Sequence, residues 1–591
     1  MKLRLTHSSG QIPQKNNLLL FLVALTVAFI DSCKLRWCFK AKWDCSSSQI
    51  LNTLYLFLIS VLTVINATHA DYLDNPDPIP GWTHPEPLSR DTEALHGIIL
   101  SGADVGYSAT VIAEIDGNIS NGLEVAAAGA DGTVYVFLSD GTLLWEQKTT
   151  NADCKFASSG NRVLSSPAVG ELFGDGMPYV VIGYGGVGGG KCDGGVIAFQ
   201  GSNGKKRWDF NTKKFAKKAK FGANIHSVFS TPALADTDGD GKLEIGFGSF
   251  DRNVYLLNAN GSLRWYYNAA DTIWSSAAFA NVDSDSNLEM IIGTDISGNS
   301  RLKPPTFDGG YVYAFKTANR KKKHISFRDP TAFVWKAEFD QVIFSAPVVA
   351  DVLADSPGEE IIVGSGCFFP QRGSDKRGKW FKVLRASDGK VLQTLPTQAC
   401  STSSPAIADI DEDGQLEIVV TVNGFSGYGG DGASRVMAWK ANSTTPLWEI
   451  IPRGRGGDND AYGGNFVSPV IADVDGNGSL EVVVANGASV GIFAGKTGAA
   501  LTCQSSGCED IPTMLYAWDS LKATPSIGDI NLDGALDIIV AGGHSASRGH
   551  GMIYGWTYLA DVIDSEVGIH PPNSSPWPMY RGNSQRSARY P

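Results

Sequence analysis

The chain has 591 residues, is 43% hydrophobic, contains 67 glycines and carries a formal charge of −12. Such a length exceeds one ordinary core unless that core is built by repetition. The acidic balance argues against a nucleic-acid partner, because phosphate binding needs a basic face.

Residues 1–70 stand apart, with seven Lys/Arg, two acids and two apolar runs at 18–30 and 50–65. The first run is too short to span a bilayer comfortably. The second follows a basic stretch at 34–42 and ends at Ala67-Thr68-His69-Ala70, a signal-peptide pattern with cleavage expected after Ala70. The alternative is a membrane anchor through residues 50–66. Residues 71–106 are expected to form an extension packed on the domain of residues 107–591. Beyond the leader six cysteines fall in neighbouring pairs, Cys154 with Cys192, Cys367 with Cys400 and Cys503 with Cys508. An even count in an exported chain points to disulfides in those pairs, although spacing alone leaves the connectivity open.

From residue 107 one tripeptide recurs before an apolar strand. Seven copies end at Pro167, Pro232, Ala277, Pro347, Pro405, Pro469 and Pro525, and a weaker one, Ser108-Ala-Thr110, precedes them. Each unit then reads alike. A short strand enters an acidic loop, a second leaves it, a third follows, and a Gly-containing turn leads to a last strand. That strand carries a tryptophan in several units: Trp145, Trp208, Trp265, Trp335 and Trp448. Four short strands with hairpin turns make one blade, and radial repetition buries both of its faces. The expectation is all-β: a single β-propeller of four-stranded blades, eight in number, with seven as the alternative. Insertions between second and third strands, as at 183–195, 295–309 and 424–434, are expected to cluster on one face. Binding is usually carried by such loops.

The acidic loop is the chemical signature. Its copies place oxygen side chains at positions 1, 3, 5 and 9: Asp236, Asp238, Asp240 and Glu244; Asn281, Asp283, Asp285 and Glu289; Asp409, Asp411, Asp413 and Glu417; Asp473, Asp475, Asn477 and Glu481; Asp529, Asn531, Asp533 and Asp537. Calcium (Ca2+) takes six to eight oxygens and tolerates irregular geometry, which suits these residue types at this spacing. A glycine at position 6 permits the sharp turn, although Ser286 replaces it in one copy. Blade 1 has Glu114 and Asp116 but extra residues before Glu124. Blades 2 and 5 lack the pattern and are expected to bind no ion.

These loops resemble the FG-GAP or VCBS repeat, the calcium-loop propeller blade also seen in integrin α-subunit heads. The resemblance covers about residues 107–560, with Ser-Ser-Pro-like tripeptides replacing the family's Phe-Gly signature. The final strands, such as residues 254–265, and the closing segment Trp577-Pro-Met-Tyr-Arg-Gly-Asn583 resemble pyrroloquinoline-quinone-type propeller repeats. The resemblance implies fold and calcium more than activity. The leading expectation is a monomeric, exported, non-catalytic module, extracellular, cell-surface or periplasmic, that binds a protein or glycan. The alternative is an enzyme on the same scaffold, quinoprotein dehydrogenase-like or polysaccharide lyase-like. No nucleophile–base constellation stands out, and the adjacent cysteine pair of quinoprotein dehydrogenases is absent. His226, His544 and His550 are the histidines an enzyme reading would use. Gly185–Lys191 nearly spells a phosphate loop but ends in Cys192 with no helix expected after it, so it reads as a hairpin insertion. Basic runs at 205–220 and 320–323 read as solvated linkers.

Overall fold

The computed structural model describes residues 79–82, 97–101, 105–149 and 163–589, less 107, 164, 186–192, 217–224, 270, 284, 298–304, 328, 367, 370–376, 423–432, 453–466, 504–514, 518–520, 544–550, 559–576 and 584. The expectations for residues 1–70, for His544 and His550, and for Cys154, Cys192, Cys367 and Cys508 lie outside these residues. Cys400 and Cys503 are buried and disulfide-bonded.

Eight antiparallel four-stranded sheets form an eight-bladed β-propeller. Blade 1 comprises Val111–Ala113, Glu124–Ala128, Thr133–Phe137 and Leu143–Lys148, and the next six blades repeat that order. In blade 3 a short parallel strand, His324–Ile325, adds to the outer edge. First strands of neighbouring blades touch from blade 1 to blade 5 and from blade 6 to blade 8, and blade 8 meets blade 1. These inner strands have only three residues each and are rich in alanine, as in Ala233–Ala235 and Ala406–Ala408, because the blades converge there. Second strands are buried throughout, sandwiched between adjacent blades, and so read as continuous apolar runs. In blades 1 and 6 the outer strand buries only its tryptophan, whereas in blade 3, where His324–Ile325 covers the edge, Leu263–Asn268 is buried at all but its first residue.

Two sequence devices join blade to blade. The first is the tripeptide. At its second position a backbone N–H donates to the hydroxyl at the same position in the next blade. Ala109 donates to Ser166, Ser166 to Thr231 and Thr231 to Ser276. Ser404 then donates to Ser468, and Ser468 to Thr524. The belt lacks a hydroxyl at Ala346 and Ala109. The second device is the outer-strand tryptophan, whose indole N–H reaches a carbonyl in the following blade. Trp145 donates to Gly201, Trp208 to Ala259, Trp335 to Ala386 and Trp448 to Gly495, at 2.5–2.9 Å. The same rings press on a left-handed glycine in that blade's last turn: Gly204, Gly261, Gly389 and Gly498, with φ from +66° to +74°. A Cβ at any of the four would stand 2.4–2.8 Å from the indole, so only glycine fits.

The ring closes through segments distant in sequence. Blade 8 takes Ser526–Gly528, Leu536–Gly542 and Gly551–Tyr558 from the C-terminal part, but its outer strand is Gly97–Ser101, paired with Gly551–Tyr558. Trp82 supplies the missing tryptophan, with its indole donating to Ser139 and packed on Gly141 of blade 1. The last described residues do not extend blade 8. They fold across the centre and hydrogen-bond to inner strands or to the residues just before them. Trp577 exchanges two bonds with Ile471, and Pro578 accepts from Ile527. Gln585, Ser587 and Ala588 accept from Leu234, Phe279 and Val349. Arg586 donates to Thr110 and Pro167.

Candidate metal centres

Each acidic loop joins the first and second strands of a blade, so all of them share one face of the disc. The second-to-third connections, which carry the insertions, begin and end on the opposite face, as antiparallel order requires.

The position 9 acid has a structural task in seven blades. One oxygen accepts the backbone N–H of loop position 2, from Ile115, Thr237, Val282, Val352, Ile410, Val474 and Ile530, at 2.6–3.1 Å. Glu360 does so in blade 5, which lacks the rest of the motif. The position 1 aspartate also serves the loop. Asp236, Asp409 and Asp529 accept from amides at positions 5 and 6, which closes the turn.

The remaining oxygens converge. Carboxylate oxygens lie within 4.8 Å of one another in five groups: Glu114, Asp116 and Glu124; Asp236, Asp238 and Glu244; Asp283, Asp285 and Glu289; Asp409, Asp411 and Glu417; Asp473, Asp475 and Glu481. Position 5 joins its group in blade 4, as Asp285, but stays outside in three other blades: Asp240 faces Lys242, Asp413 faces Lys440, and Asn477 donates to Asp475. Asn281 turns its amide onto the Asp285 carbonyl. In blade 8 the described acids do not gather. Asp537 takes the Thr557 hydroxyl, and Asp533 accepts from Asn531.

The groups differ in whether a protein cation already occupies them. In blade 3 the buried Arg264 reaches Asp238 at 3.0 Å and Glu244 at 2.8 Å. In blade 6 Lys440 lies 2.9 Å from Asp411 and also contacts Asp413. Strand register explains Lys440, since it pairs directly with Glu417. The position equivalent to Lys440 is Lys316 in blade 4, 4.0 Å from Asp283. In blade 7 it is Ala494, opposite Glu481. Blades 1 and 7 therefore have no such cation among the described residues. They keep buried oxygens without a partner, Glu114 Oε2 and Glu124 Oε1 in blade 1 and Asp473 Oδ1 in blade 7. Burial, then neighbouring carboxylates, pushes Glu481 up to about 9, while burial raises Glu124 to about 7. Carboxyls held this far above their usual range mark sites where a cation would be favourable. These residues fit a hard divalent ion by donor type and convergence. Arg264 and Lys440 were not legible as rivals for that ion, and blade 1 was obscured by the extra residues before Glu124.

His226 is buried, and burial lowers its pKa. Beyond the loops, Phe229, Phe250, Trp274 and Phe344 form a chain of rings 4.4–5.2 Å apart on the insertion face, with Trp274 and Phe344 half-buried. Among the described residues no helix is long and apolar enough to cross a membrane.

Fold and loops together define an eight-bladed propeller with acidic groups that could hold a metal ion on one face. Residues 105–284, from just before blade 1 into the beginning of blade 4, match the family described as outer membrane protein assembly factor BamB. No curated protein matches the chain. Among solved structures, BamB from Moraxella catarrhalis is similar at 13% identity and a TM-score of 0.42, covering 75% of this chain and 92% of that one. A quinohemoprotein alcohol dehydrogenase from Pseudomonas putida is similar at 13% identity and a TM-score of 0.45, covering 78% and 77%. A rhamnogalacturonan lyase from Bacillus licheniformis is similar at 13% identity and a TM-score of 0.42, covering 88% and 85%. The neighbours include an assembly factor and enzymes, so likeness of fold does not select a chemistry.

Proposed function

We propose that this chain is an exported, calcium-stabilised binding module without catalytic activity, its loops being of the FG-GAP or VCBS kind. The observation that carries this reading is the division of labour between the two faces. Carboxylates converge on one face, and the connections that carry the insertions start and end on the other, where the Phe229–Phe250–Trp274–Phe344 rings lie. Calcium bound at blades 7 and 1 would neutralise buried carboxylates and stiffen the scaffold. The opposite face, with half-buried aromatics of the kind enriched in interfaces, would engage a protein or glycan. The partial match to an assembly-factor family supports a protein-binding role. The centre, where a dehydrogenase-like propeller would need room for a quinone, is crossed by Trp577, Arg581 and Arg586, each at most 1% exposed.

The test has two arms. Calcium titration of the full chain, with melting in calcium and in chelator, should show bound calcium and a higher midpoint. Equal midpoints with no bound metal would remove calcium from the account. In the second arm the purified chain is assayed for dye-linked alcohol oxidation and for cleavage of acidic polysaccharides. Turnover in either assay would overturn the binding-module reading.

A further inference from the structure

We propose that the centre of the propeller holds a small inorganic oxyanion, of the phosphate or sulfate kind, bound by the guanidinium of Arg581. Arg581 is 0% exposed, and among the described residues its Nε, Nη1 and Nη2 have no hydrogen-bond partner. Most buried polar groups are satisfied, and a buried charge almost always is. Here all three nitrogens of one side chain are left over.

The surroundings sharpen the need. Arg586, also 0% exposed, lies close enough to act on Arg581 as a like charge. Arg586 spends its own donors on the carbonyls of Pro167, Tyr580 and Thr110. Among the described residues no carboxylate is paired with either arginine. Burial lowers both, to about 10 for Arg581 and about 9 for Arg586, which leaves them protonated at neutral pH. Two buried positive charges therefore share the centre, with no paired carboxylate among the described residues. A planar fork of N–H donors matches an oxyanion better than it matches a halide.

The backbone is committed to this arrangement. Arg581, Arg586 and Ala588 all adopt left-handed conformations, with φ of 63°, 58° and 55°. Such conformations are uncommon for residues with a Cβ and tend to cluster at functional sites. The turn is tied internally by Asn583 to Ser587 and by Ala588 to the Arg581 carbonyl. The site is independent of the calcium loops and of any binding role.

The experiment uses the full chain, expressed in phosphate- and sulfate-containing medium and dialysed exhaustively into anion-free buffer. It is then denatured, and the released anions are measured by ion chromatography. Roughly one phosphate or sulfate per chain is expected, and the unfolding midpoint should rise with added phosphate more than with chloride at equal ionic strength. Arg581→Met, of similar length and uncharged, is expected to fold and to lose both effects. Arg581→Lys should weaken them. Wild-type protein that releases no oxyanion and shows no phosphate-specific shift overturns the proposal. So does Arg581→Met protein that retains the anion. If Arg581→Met does not fold, the wild-type release and midpoint decide alone.

Discussion

In blades 6 and 7 a single cross-strand residue decides whether the carboxylates of the acidic loop already face a protein cation. Lys440 opposite Glu417 supplies its own cation, whereas Ala494 opposite Glu481 leaves the carboxylates uncompensated. Lys440→Met should therefore add calcium to the measured stoichiometry by freeing Asp411 and Glu417. Glu481→Gln should remove one calcium and lower the midpoint in calcium but not in chelator. Isothermal titration of the two variants decides both. A pH dependence follows from the same residues. Burial raises Glu481 from an ordinary 4.5 to about 9, and Glu124, Glu289 and Glu417 to about 7. Between 4.5 and those values the folded state holds protons that the unfolded chain has released, so stability falls as pH rises. Chelated protein should thus unfold progressively more easily from about pH 5 to pH 9, and calcium should flatten that slope. Urea midpoints measured across the range would show it, and a flat chelated profile would refute it.

At the scale of elements, the blade junctions rest on small, repeated contacts. Gly389→Ala would force a Cβ to 2.4 Å from Trp335 in a left-handed turn. It should cost about 1–3 kcal/mol, read as a lower urea midpoint at unchanged slope. The hydroxyl belt offers a paired test. Ser468→Ala strands the Ser404 N–H and should cost about 1–3 kcal/mol, whereas Ala346→Ser fills a gap in the belt and should gain about 0.5–1.5 kcal/mol. These elements were readable in the sequence because their signals are local: a hydroxyl tripeptide, a short apolar strand and a tryptophan before the next unit. The eight-blade expectation rested on them and the structure bears it out. Lys440 could not be read in the same way, because its meaning depends on strand register. Arg264 reaches its loop from the outer strand, so no spacing rule identified it.

At the scale of the whole molecule, closure of the ring was the least legible feature. The remainder after residue 525 was long enough to fill an eighth unit, yet the outer strand of that blade comes from Gly97–Ser101 and its tryptophan from Trp82. Neither carries a periodic signal, since each is a lone piece of a repeat completed hundreds of residues later. Trp577–Asn583 stood out as a motif, but nothing local revealed that it crosses the centre. The segment and the residues after it, through Ala588, have unusual reach, because together they bond to the inner strands of blades 3, 4, 5, 7 and 8 and, through Arg586, to the residues before those of blades 1 and 2. A chain ending at 576 keeps every strand of every blade but loses these ties. Each backbone bond is worth only about 0.5–1.5 kcal/mol net, but their joint loss falls on one cooperative unit. The truncated chain should therefore unfold at a clearly lower urea concentration, and a synthetic peptide of residues 577–591 should restore part of the difference in a concentration-dependent way. An unchanged midpoint in the truncated chain would show that blade-to-blade contacts alone hold the ring closed.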